Sequence, residues 1–141
     1  MKILLPVDGS KSSLNATKYV AKLVGNLRTK CFVTIMNIHD DVGLNHVKRF
    51  IPKDTVDDYL RELSEKELKA AQKILDQVEV QHTMVIKRGN VAQEIVALAS
   101  KEKFDLIVLG AKGRSGFMDT LVGSVAQKVV QAAKQPVLLI K

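Results

Sequence analysis

The sequence predicts an α/β fold: a single domain on a doubly wound, five-stranded parallel sheet with helices on both faces. Three observations point there. Apolar runs and helical patterns alternate strictly along the chain, in the order β-α-β-α-β-α-β-α-β. Most of the runs are near-continuous in apolar residues, as strands covered on both faces are. The 141 residues suit one domain, 1–141, and contain no linker, low-complexity tract or internal repeat. Right-handed crossovers leave few topologies, and the expected strand order is 3-2-1-4-5.

Each element has its own signal. Residues 2–7, "KILLPV", form the first strand. From Ser10 to about Leu27, Leu14, Thr17, Ala21 and Val24 recur at helical spacing, with Ser10 as N-cap. "CFVTIMNI" (31–38) is apolar and β-branched, polar only at Thr34 and Asn37, and reads as a strand buried on both faces. A looser stretch, "HDDVGLNHVKRFIPKD", leads to a long helical pattern from about Thr55 to Val78. "VQHTMVIK" (80–87) alternates and reads as a strand. "VAQEIVALASKEK" (91–103) is helical, "DLIVLG" a fully apolar strand, "SVAQKVVQAAKQ" a helix and "PVLLIK" the last strand.

Composition narrows the function classes. Hydrophobic residues make up 46% and charged residues 26%, a globular balance. Cys31 is the only cysteine, which rules out an intramolecular disulfide and suits a reducing compartment; its plain reading is a small buried hydrophobe. No stretch approaches the roughly 20 apolar residues of a membrane span. Pro6 and Asp8 cut the apolar start too short for a signal peptide, so the expected location is cytoplasmic. The net charge of +7 favours an anionic partner. In "EKELKAAQK", however, lysine and glutamate alternate as on a solvated helix face. Aromatics are 4% with no basic-aromatic stacking motif, so nucleic acid is not the expected partner.

In open parallel sheets, ligands sit beyond the carboxyl ends of the strands where strand order reverses. The exits of strands one, two and four are the most polar: "PVDGS", "NIHDD" and "GAKGRSGFMDTLVGSV". The last holds Gly110, Gly113, Gly116 and Gly123, which permit positive φ and close backbone approach, together with Lys112 and Arg114. It leads into a helix at Ser124, which can cap that helix or donate its hydroxyl to a phosphate. Exposed N–H groups before a helix make an anion site. A plain strand-to-helix turn is the competing reading. The loop is neither a Walker A sequence nor a dinucleotide fingerprint.

Its spacing is nevertheless specific. Gly110, two residues, Gly113, nine residues and then Gly123-Ser124 resembles the nucleotide motif of the universal stress protein family, in its ATP-binding subgroup. "ILLPVDGSKSS", "RGNVAQEIVALASKEKFDLIVLGAKG" and "LVGSVAQKVVQAAKQPVLLIK" resemble other parts of that family, so the likeness covers the whole chain, with about 39–65 far less diagnostic. It implies a Rossmann-like sheet and the ligand ATP with Mg²⁺. Pro6, Val7, Asp8 and Ile38 would receive the adenosine, and Leu109 and Gly110 would flank the ribose. Lys112, Gly113 and Arg114 would face the phosphates, and Gly123, Ser124 and Val125 would supply donors. Asp8 would accept from a ribose hydroxyl or order a phosphate-bound metal; as a bare residue it is a turn former in "DGS". Ser115 would meet the terminal phosphates or face solvent. No metal-ligand spacing joins His39, His46 and His82, so the only metal implied is the one the phosphates carry.

The resemblance further implies a homodimer through the C-terminal strand; a covered strand within the monomer is the alternative. The function expected is ATP-binding regulation of the stress response with slow or no hydrolysis, since no general base is evident beside the loop. The alternative is a dimeric interaction protein that works without nucleotide. An adenine-nucleotide hydrolase would carry a double-glycine loop where "VDGSKSS" stands, and a phosphorylation switch would need a carboxylate where "VIKRGN" stands.

Overall fold

The unbroken apolar run near the N-terminus becomes the middle of the sheet. β1 (Lys2–Pro6) has Ile3, Leu4 and Leu5 fully buried and pairs in parallel with β2 (Phe32–His39) on one side and β4 (Leu106–Gly110) on the other. β3 (His82–Arg88) and β5 (Val137–Ile140) form the edges, and the strand order is β3-β2-β1-β4-β5. This is the expected parallel order. It is seen in a computed structural model that describes residues 1–40, 53–113 and 122–141.

Strand side chains alternate between faces, which gives two cores. Ile3, Leu5, Val33, Ile35 and Val108 pack under α1 (Lys11–Asn26) and α2 (Lys53–Asp76). Leu4, Met36, Ile107 and Leu109 pack under α3 (Val91–Lys101) and α4 (Ser124–Ala132). Among the described residues, no helix is long and apolar enough to cross a membrane.

The run "VQHTMVIK" forms a strand as expected; β3 lies at the sheet edge beside β2, where Met84 and Ile86 stay 49% and 42% exposed. One expectation needs correction. The last helix stops at Ala132 rather than running to Gln135, with Ala133 already extended before Pro136. The other element ends agree with the expected ones or differ by at most two residues, a spread ordinary for helix and strand ends.

The chain lays down β1, β2 and β3 toward one edge and then returns across the sheet to β4, beside β1. The connections leaving β1 and β4 therefore turn to opposite faces: α1 to one, α4 to the other. A crevice opens between them at the carboxyl ends.

Candidate functional site

The crevice is a cleft of about 320 Å³. Pro6, Val7 and Asp8 line it from the end of β1, and Ile38 lines it from β2 together with Met36, His39 and Asp40. Leu109, Gly110, Ala111, Lys112 and Gly113 come from β4 and its exit, and Gly123, Ser124, Val125 and Ala126 from the start of α4. Every expected site residue within the described part of the chain thus lines one cavity. Arg114, with Ser115 and Gly116, lies outside the described residues.

The loop after β4 is anchored at its ends. Ala111 N–H donates to the Ile140 carbonyl and Gly123 N–H donates to the Ala111 carbonyl, both at 2.7 Å. The segment between residues 111 and 123 therefore leaves and returns at one point. The start of α1 pins it from beside: Ser12 Oγ accepts from Lys112 N–H at 3.3 Å and donates to the Ile140 carbonyl at 2.9 Å. The serines of "GSKSS" thus serve two ends, because Ser10 caps α1 by accepting from Ser13 N–H at 3.2 Å.

Of the two uses expected for the glycines, close backbone approach holds at Gly110 and positive φ does not hold at Gly110, Gly113 or Gly123. Gly9 and Gly89 are the ones in the left-handed region, at φ +76° and +130°. Gly110 is small because α1 is close: a Cβ there would lie 2.7 Å from the backbone of Ser12 and Ser13. A Cβ on Gly113 would meet Asp8 Oδ2 at 3.3 Å. Gly123 is extended, at φ −69° and ψ 156°, and is itself the N-cap of α4, with no side-chain cap bond. Ser124 is therefore the first residue of the helix and not its cap.

Together these features describe an amphiphilic slot. Val7, Ile38, Met36, Leu109 and, from α3, Val91 and Ile95 give an apolar wall. At one end stand Lys112 and the first turn of α4, whose cap Gly123 makes no side-chain bond to the leading N–H groups. A helix start left open in this way attracts an anion. Asp8 brings a carboxylate to the loop: its Oδ1 accepts from Ser10 N–H at 3.0 Å and its Oδ2 lies toward Gly113. Among the described residues no group of three or more His, Cys, Asp or Glu could hold a metal.

Sequence reasoning did not single out Met36, Asp40, Ala111, Ala126, Val91 or Ile95 as lining residues. Met36 neighbours the expected Ile38 at period two, so the strand pattern could have found it. Val91 and Ile95 look like any apolar helix face, and nothing in their spacing separates cleft from core.

The model of the universal stress protein family matches residues 1–141. Universal stress protein MJ0531 from Methanocaldococcus jannaschii is 33% identical over 99% of this chain and 81% of its own length. The solved structure of MJ0577, from the same organism, superposes with a TM-score of 0.87 at 27% identity, covering 99% of this chain and 94% of that one. An Archaeoglobus fulgidus universal stress protein solved in complex with dAMP superposes with a TM-score of 0.67 at 22% identity, covering 100% and 98% of the two chains.

Proposed function

Because the chain belongs to the universal stress protein family, we propose that it is an ATP-binding regulatory protein of the stress response, with slow or no hydrolysis. One observation carries the reading: the start of α4, with no side-chain bond from its cap Gly123, stands beside Lys112 in a cleft whose wall carries Val7, Met36, Ile38, Leu109, Val91 and Ile95. A nucleotide has that same polarity, a flat apolar base at one end and phosphates at the other. The dAMP complex speaks for the fold, since at 22% identity it supports no more than that.

In this reading Pro6, Val7, Asp8 and Ile38 hold the adenosine, and Leu109 and Gly110 lie along the ribose. Lys112, Gly113 and Arg114 face the phosphates, and Gly123, Ser124 and Val125 complete the anion site. Asp8 close to Gly113 sets a carboxylate where phosphate would sit, and like charges there repel. A divalent cation removes the conflict, so Mg²⁺ would enter with the phosphates, held by them, Asp8 and water. The cation supplies charge neutralisation; the chain supplies orientation.

The working form in this reading is a cytoplasmic homodimer joined through β5, whose four residues are only half-buried in the single chain.

Calorimetric titration of nucleotide-stripped protein with Mg-ATP tests the ligand. Saturable binding is expected in the parent. None is expected in Gly113→Val, where the new side chain pushes on Asp8 and fills the loop end. Absence of heat in a folded parent at millimolar ATP would sink the proposal.

A further inference from the structure

Asn37 is a polar side chain in an apolar layer. It is fully buried between β2 and α2, where Nδ2 donates to the Val7 carbonyl at 2.7 Å and to Glu67 Oε2 at 2.8 Å. Both neighbours are acceptors, so the amide has one allowed orientation. Oδ1 is then left with no hydrogen-bond partner. An unpaired buried acceptor costs stability, and an apolar residue would avoid that cost. An apolar residue could not, however, grip Val7.

Val7 is held from two sides, since its own N–H donates to the Met36 carbonyl at 2.8 Å. Asp8 follows, tied to Ser10, and then Gly9 at φ +76°. Glu67 closes over this turn: a Cβ on Gly9 would lie 3.0 Å from Glu67 Cγ. A second clasp joins the same two elements further along. His39 hydrogen-bonds Ser64, and Ser64 Oγ donates to the Leu60 carbonyl at 2.9 Å. One continuous set of contacts therefore runs from the cleft wall through Asn37 and Glu67 into α2. The outer surface of that helix is exposed and charged at Asp58, Arg61, Glu62, Glu65, Lys66 and Lys69.

We propose that Asn37 is a positioning residue for the nucleotide site, and that through Glu67 it makes α2 the element that registers whether the cleft is filled. The inference rests on the nucleotide reading above. A ligand that engages Asp8 shifts the Val7–Gly9 turn. The Asn37 amide spans Val7 and Glu67 with one nitrogen, so a shift of the turn against α2 strains or breaks one of the two hydrogen bonds. Differential contact with two arrangements of the turn is what allows a ligand to bias a distant surface.

Amide hydrogen exchange with and without Mg-ATP, run beside calorimetry, tests this. In the parent, nucleotide is expected to protect residues 7–10, 124–127 and, on α2, 60–68. Asn37→Ala is expected to bind about tenfold more weakly, the scale of one lost hydrogen bond. It should keep the protection at 124–127 and lose that on α2. Glu67→Gln retains an acceptor for Nδ2 and should behave as the parent, whereas Glu67→Ala should lose the α2 response. Asn37→Ala binding within about twofold of the parent, or still protecting α2, would overturn the proposal. Should Asn37→Ala fail to fold, Glu67→Ala decides, and an α2 response retained there overturns it equally. A parent that binds no nucleotide removes the underlying reading and this inference with it. A binding parent with unchanged variants removes the inference alone.

Discussion

Position 110 shows how much one methyl group can decide. The first turn of α1 rests on Gly110 so closely that a Cβ would stand 2.7 Å from two backbone atoms, and backbone cannot swing aside as a flexible side chain can. Gly110→Ala is therefore expected to destabilise the fold by about 1–3 kcal/mol, as overpacking does. Urea denaturation of the two proteins measures it, and equal midpoints would contradict the packing argument. Gly123→Ala is the contrast, since its Cβ would make only ordinary contacts of 3.4 Å and longer and φ is −69°. In sequence these glycines look alike. The motif spacing marked them as a group, but only their neighbours tell a packing glycine from a loop glycine. Asn37 was legible just as a polar break in a strand, and its role depends on Glu67, thirty residues away.

At the level of elements, two helix starts are built differently. α1 is capped within itself by Ser10, so Ser10→Ala should cost about 1 kcal/mol in chemical denaturation. A loss below a few tenths would show the cap to be idle. α4 has a glycine cap with no side chain to offer, which leaves its first N–H groups for a ligand. Gly123→Asp should supply the missing cap and stabilise the ligand-free protein by a few tenths of a kcal/mol. The same carboxylate should weaken Mg-ATP binding by repelling phosphate. Thermal melts and titration together read the two opposite effects, and a variant that binds ATP as well as the parent would contradict an anion site at α4. The caps were partly visible in advance: "GSKSS" signalled Ser10 correctly, while of the two roles open to Ser124, cap or phosphate donor, the cap falls to Gly123. A serine after glycine satisfies the cap pattern in either register, and backbone angles choose between them.

For the molecule as a whole, the open edge at β5 matters most. The Pro136 and Ile140 carbonyls accept from Ile107 on β4 and from Ala111 just past it, so residues 137 and 139, which alternate with them, turn their N–H groups outward. Leu139→Pro removes one outward donor and none that faces β4. If β5 joins two copies, the parent should sediment as a dimer and Leu139→Pro as a monomer. A parent that sediments as a monomer at tens of micromolar would refute that assembly. The other edge strand, β3, was legible as a strand, but alternation cannot report how far a helix layer extends over a sheet, so the exposure of Met84 and Ile86 is visible only in the fold.

The sequence by itself determined the alternation of strands and helices and the identity of the central strands. It also marked the three polar exits from which the cleft is made. These are local properties: apolar runs, periodicity and glycine spacing are set by residues near one another in the chain. Tertiary structure alone decided that Ser12 anchors the Lys112 backbone, that α1 requires a glycine at 110, that β3 is exposed, and that Asn37 ties Val7 to α2. Each of these joins residues at least about thirty positions apart or turns on which surfaces neighbours cover. The reason is that local pattern sets which face of an element is apolar, while the distance between faces is set only when the layers pack.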